Sequence, residues 1–150
     1  MIKKEQLSEN LEDYLETILA LQTKKTVARS KDIAEKLDIK RGSVTGMLKK
    51  LADHKLVNYE PYGYVTLTSE GRKIALDIEQ RHIFLKDFFF RIVKFDEETA
   101  DRTACRMEHA MDKLTFKKFK AFIKKIEACP HCNIESCLKQ TINIILFPSV

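Results

Sequence analysis

Apolar positions recur along most of this chain at the three-to-four-residue spacing of helices that turn one face to a core. Leu11, Leu15, Ile18, Leu19 and Leu21 form the first such stripe, and Ser8 is placed to cap its start. Ile33, Ala34 and Leu37 mark a shorter helix over residues 31–37, with Ser30 as its cap. Val44, Met47, Leu48 and Leu51 predict a third over residues 43–54. Only Asp38-Ile39-Lys40-Arg41-Gly42 separates the second from the third, the arrangement of a helix-turn-helix. The period then shortens. Residues 56–60 and 64–68 read as two strands around Pro61-Tyr62-Gly63, a hairpin with Gly63 available for the turn. Helix, turn, helix and hairpin in that order predict a winged DNA-binding domain over residues 1–70.

Helical spacing resumes at Thr68-Ser69-Glu70, another N-cap signal, and continues to about residue 93. Ile74, Ala75, Ile78, His82, Leu85, Phe88 and Phe89 lie along that helix. Asp96-Glu97-Glu98 opens the next, with acids at its positive end, and it runs to about residue 111. A last helix spans residues 116–128 and stops before Pro130. Phe84, Phe88, Phe89 and Phe90 exceed what a two-helix hairpin can bury, so they are expected at a dimer interface rather than in an intramolecular core. The fold class expected is therefore mainly α. An N-terminal winged helix-turn-helix precedes a C-terminal helical dimerisation domain over 71–128, and a Cys-rich tail occupies 129–150.

Charge sharpens the first half. Residues 24–50 hold nine Lys/Arg against Asp32, Glu35 and Asp38, so this segment is +6 in a chain of net charge +5. Such local positive charge suits DNA phosphates. On the third helix and the turn before it, Lys40, Arg41, Ser43, Thr45, Lys49 and Lys50 are candidate DNA contacts, with Tyr62 and Tyr64 at the wing. Arg41 is chosen for base readout because a guanidinium pairs bidentately with guanine. Lys49 and Lys50 suit phosphates.

Three separate patches carry metal-ligating side chains. Asp13 and Glu16, three residues apart, leave one helix face. Cys105, Glu108 and His109 do the same at i, i+3 and i+4, and His82 adds an imidazole. Each patch alone has a structural explanation: first-turn acids, a half-buried histidine, a small core thiol. Together, carboxylates, imidazoles and one thiol match a first-row divalent ion, with Fe(II) a compromise between Mn(II) and softer ions and Zn(II) still open.

These residues carry a resemblance. Leu11-Glu12-Asp13-Tyr14-Leu15-Glu16, Ser43-Val44-Thr45, residues 56–63, Leu67-Thr68-Ser69-Glu70-Gly71, Arg81-His82 and Cys105-Arg106-Met107-Glu108-His109 resemble the DtxR/MntR family of metal-dependent transcriptional repressors. The resemblance covers about residues 7–133. It implies a homodimer, double-stranded DNA as partner, a palindromic operator, and Fe(II) or Mn(II) as the sensed ion. Asp13, Glu16, His82, Glu108 and His109 fall on ligand positions of the manganese-sensing branch, whereas Cys105 matches the iron-sensing branch. Two departures stand out. Lys86 follows His82 by one turn, where the family usually has a Glu ligand, and Asp101 rather than a His precedes Cys105 by one turn. The chain length implies the two-domain, manganese-type architecture without an SH3-like third domain. Bridging by the ion between Asp13/Glu16 and the other ligands is expected to restrain the two domains and favour the DNA-binding dimer.

Cys129, His131, Cys132 and Cys137 offer three thiols and an imidazole within nine residues. They suit Zn(II), or part of an iron–sulfur cluster, or no ligand at all. The alternative function is accordingly a winged-helix regulator that senses redox state, a cluster or zinc through these cysteines. No hydrolase-like motif or strand-first thioredoxin pattern is present, so no enzyme is expected. Nor is a secretory h-region or an apolar run of membrane-span length, so the expected location is the cytoplasm, with no membrane partner.

Overall fold

The computed structural model describes residues 7–60 and 63–128. Its elements run α1 (Glu9–Lys25), α2 (Ser30–Lys36), α3 (Arg41–Asp53), β1 (Val57–Tyr59), β2 (Val65–Leu67), α4 (Ser69–Asp87), a π-helical turn (Phe88–Ile92), α5 (Glu97–Ala110) and α6 (Lys113–Glu127). The architecture is mainly helical with one small hairpin, as the apolar periodicity predicts. It forms two compact units that divide after Gln80, within α4.

In the first unit the predicted stripes converge on one core. Leu15 and Ile18 of α1, Ile33 of α2, Val44, Leu48 and Leu51 of α3, and Val57 and Val65 of the strands are all buried. Ser8 holds the cap position of α1, although its side chain makes no capping bond. Ser30 is the first residue inside α2 rather than its cap, which is Arg29. The third helix likewise starts at Arg41, two residues earlier than its apolar pattern suggests. The reason lies in Asp38, which adopts a left-handed φ of 52°. That conformation lets the Ile39 N–H donate to the Ala34 carbonyl at 3.0 Å, ending α2 abruptly so that the next helix can begin.

The hairpin is antiparallel, with Val57 opposite Leu67 and Tyr59 opposite Val65. Ala28 adds a third edge that no periodicity signals: its N–H donates to Val65 O at 3.1 Å and its carbonyl accepts from Val65 N–H at 2.8 Å. Thr68 caps α4, its hydroxyl accepting the Gly71 N–H at 3.1 Å. Gly71 has to be glycine, since a Cβ there would stand 1.9 Å from the Leu56 carbonyl oxygen.

The second unit buries Leu85, Phe89, Ala100, Ala104 and Phe116. Here α6 begins at Lys113, three residues before the expected start, because Asp112 accepts the Leu114 and Thr115 N–H groups at 2.8 and 2.9 Å. The long helix also changes character. Val93 N–H donates to Phe88 O at 3.2 Å, an i→i+5 bond, so the run of phenylalanines sits in a π turn. Three of the four rings expected at an interface pack inside this unit. Phe84 meets Phe116 edge-on at 5.6 Å, Phe88 meets Phe119 at 5.3 Å, and Phe89 stacks on Phe95 at 5.5 Å. The two-helix count underestimates the rings α6 brings. Phe90 alone of the four is exposed, at 51%.

Candidate functional site

The third helix presents a polar face. Arg41, Ser43, Thr45, Lys49 and Lys50 are exposed along it, and Lys40 is exposed at its N-cap. Arg41, Thr45 and Lys49 recur every four residues and line one side of an open groove of about 760 Å³. Its lining also includes Arg29, Ser30, Lys31, Tyr59 and Tyr64. The Arg29 guanidinium lies 5.1 Å from the Tyr64 ring centroid and donates to the Tyr64 hydroxyl at 3.3 Å. Lys40, Ser43 and Lys50 do not line the groove. Tyr62 lies outside the described residues. Arg29 and Lys31 count toward the basic segment, yet nothing in the spacing singles them out as groove residues. The Ala28–Val65 bridge is what brings Arg29 to the hairpin.

Asp13 and Glu16 stand on α1 at i and i+3, half-buried, with the buried pair Tyr14 and Leu15 between them. They belong to the first unit.

The remaining candidates belong to the second unit and come from two helices. In α5 the buried stripe reads Ala100, Ala104, Glu108: two small residues and then a carboxylate at a core position. Glu108 is 0% exposed. Its Oε2 lies 2.9 Å from Nδ1 of His82 on α4, and its Oε1 lies 3.3 Å from Nε2 of His109 without hydrogen-bond geometry. A buried ionised carboxylate is costly unless a cation or strong donors face it. The donor chemistry around Glu108, two imidazoles and a carboxylate oxygen left without a hydrogen bond, fits a divalent ion. Cys105 and His109, one turn apart on α5, bring a sulfur and a ring nitrogen within 4.8 Å of each other.

Two supports of this cluster are not among the sequence candidates. Arg81 is buried and donates to the carbonyls of Glu108 at 2.7 Å and Met111 at 3.3 Å, fixing the end of α5 against α4. Asp101 Oδ1 lies 3.3 Å from His82 Nε2 and 2.8 Å from the Lys86 ammonium. That ammonium, helped by His82, holds the Asp101 carboxyl below the usual carboxylate range, against the opposing effect of partial burial. The residues that depart from the family pattern are thus paired with each other. Cys129, His131, Cys132 and Cys137 lie outside the described residues. No helix among the described residues is long and apolar enough to cross a membrane.

Residues 6–65 match the family described as iron dependent repressor, N-terminal DNA binding domain, and residues 68–135 match iron dependent repressor, metal binding and dimerisation domain. An uncharacterised HTH-type transcriptional regulator of Methanocaldococcus jannaschii is 37% identical over 122 residues, 81% of this chain and 98% of that protein. The HTH-type transcriptional regulator MntR of Bacillus subtilis is 40% identical over 100 residues, 67% of this chain and 70% of the relative. Among solved structures, the manganese regulator SloR superposes with a TM-score of 0.68 at 26% identity, covering 83% of this chain. The chain spans 58% of the length of that regulator.

Proposed function

This chain belongs to the iron-dependent repressor (DtxR/MntR) family of metal-dependent transcriptional repressors, and on that premise we propose that it senses Fe(II) or Mn(II). The family consists of DNA-binding repressors, not enzymes. Within it, the reading is a cytoplasmic homodimer that controls metal-homeostasis genes from a palindromic operator. Residues 1–70 read DNA, residues 71–128 bind metal and dimerise, and residues 129–150 form a tail.

One observation carries the metal reading: Glu108, a fully buried carboxylate, faces two imidazoles. The proposed ligand set is Asp13, Glu16, His82, Cys105, Glu108 and His109, the first two added by the sequence motif. When bound, the ion supplies positive charge that offsets these carboxylates. The protein's part is to hold the ligands ready. Arg81 fixes the Glu108 backbone, and the helical spacing of Cys105 and His109 gives them one face. The Cys105 thiol favours Fe(II) over Mn(II), since a thiolate is the softer donor. The manganese regulator among the structural relatives supports Mn(II) as the other choice. Repression then follows as a population shift toward the dimer whose two recognition helices meet successive major grooves.

Equilibrium metal binding to anaerobic, metal-stripped protein tests the ligand set. Replacing a residue that only supports a ligand typically costs 10–100-fold in affinity, so Glu108→Gln, a direct ligand, should cost at least about 100-fold. Equal affinity in a variant that melts like wild type would remove Glu108 from the site.

A further inference from the structure

We infer that Asp101 and Lys86 are positioning residues that hold the His82 ring for a metal ion, an inference that rests on His82 being a ligand. His82 is 19% exposed, and each of its ring nitrogens faces a carboxylate. Nδ1 points to Glu108 at 2.9 Å, inside the ligand cluster, while Nε2 points away from it to Asp101 at 3.3 Å. With Nδ1 as the metal donor the ring proton is on Nε2 and donates to Asp101 Oδ1, and the same oxygen accepts from the Lys86 ammonium at 2.8 Å. Lys86 stands one turn beyond His82 on α4 and also reaches Glu97 at 3.5 Å. Asp101 is therefore fixed from its far side by a group on the same helix as the ring it supports.

The chemistry follows from this order. A ring bonded at Nε2 cannot turn about its Cβ–Cγ bond without losing that bond, so Nδ1 stays aimed at Glu108. A carboxylate on the outer nitrogen also makes the inner nitrogen a better donor to a metal. Lys86 offsets the charge of Asp101 and Glu97, so Asp101 serves the ring instead of competing for the ion.

Protein labelled with ¹⁵N-histidine tests this, metal-free and loaded with Zn²⁺ as a diamagnetic probe. Wild type should show a slowly exchanging Nε2 proton on His82 in both states. Asp101→Leu should lose it in both and bind Zn²⁺ about tenfold more weakly. Asp101→Asn keeps an acceptor and should fall between. Lys86→Met should speed the exchange while leaving the bond. Because the Asp101 side chain is 51% exposed, these variants are expected to fold, and thermal melts check that. Equal Nε2–H exchange in wild type and Asp101→Leu would overturn the inference, whatever the affinities. Wild type that binds no ion would instead remove the ligand reading, and the metal-free exchange comparison would still judge Asp101.

Discussion

Glu108 occupies a position whose spacing belongs to the core, four residues after Ala104 and eight after Ala100. In the sequence Glu108 stands out by its helical spacing from Cys105 and His109 and by the motifs around it, whereas the buried stripe it continues shows only once α5 is packed. How its supports pair was not legible. Lys86 and Asp101 stand out only as departures from the family pattern. Their mutual contact and the reach of Arg81 to α5 need the packed helices, because the partners lie 15 to 30 positions apart in the chain. The same limit hid Arg29, which reaches Tyr64 across 35 positions. On the DNA-reading face, Arg41 and Lys49 line one groove but should play different parts. Arg41→Ala should cost about 1–3 kcal/mol against the cognate site and little against other sequences. Lys49→Ala should weaken all sequences alike and reduce the salt slope of binding by about 1. Titrations of both variants against operator and scrambled DNA at several salt concentrations check this, and equal losses on both DNAs for Arg41→Ala would remove its base-reading role.

At the scale of elements, the sequence pattern identified the six helices and the hairpin of the described residues, and it erred at several of their ends. Two of the errors come from single residues at the helix ends rather than from the stripe. Asp38 shortens the turn before α3, and Asp112 starts α6 early. The π turn escaped notice because apolar spacing continues through it while the hydrogen-bond pattern changes. Two predictions belong here. Lys55, just after α3, has a left-handed φ of 59°. That conformation costs an L-residue about 1–2 kcal/mol, and glycine gives back about 0.5–1 kcal/mol in unfolded-chain entropy. Lys55→Gly should thus stabilise the protein by roughly 0.5–1 kcal/mol in urea melts. The second concerns acid. Asp112 accepts N–H bonds from the first turn of α6, chiefly that of Thr115, which holds its carboxyl below the ordinary aspartate value of 3.8. A lowered folded-state pKa gives stability that is complete above the unfolded value and fades as pH falls through the folded one. Asp112→Ala should therefore melt lower than wild type at neutral pH, with the gap closing below the usual aspartate range. A gap independent of pH would mean that the cap does not act through the carboxylate.

In the whole molecule, different parts of the chain are suited to two functions. A basic helix and hairpin are suited to DNA, and a buried carboxylate among imidazoles is suited to a divalent ion. Periodicity and charge together exposed the first, since the helix-turn-helix pattern coincides with residues 24–50, which carry +6. The second needed the ordered motifs, because none of Asp13, Glu16, His82, Cys105, Glu108 and His109 is persuasive singly. The central claim is that the ion governs DNA binding. The direct measurement is the affinity of anaerobic, metal-stripped protein for the DNA upstream of its own gene, with and without Fe²⁺ or Mn²⁺. The account predicts tight binding only with metal, with Fe²⁺ effective at the lower free concentration. Binding of equal strength in the stripped protein would contradict it, and would turn attention to Cys129, Cys132 and Cys137 as the switch.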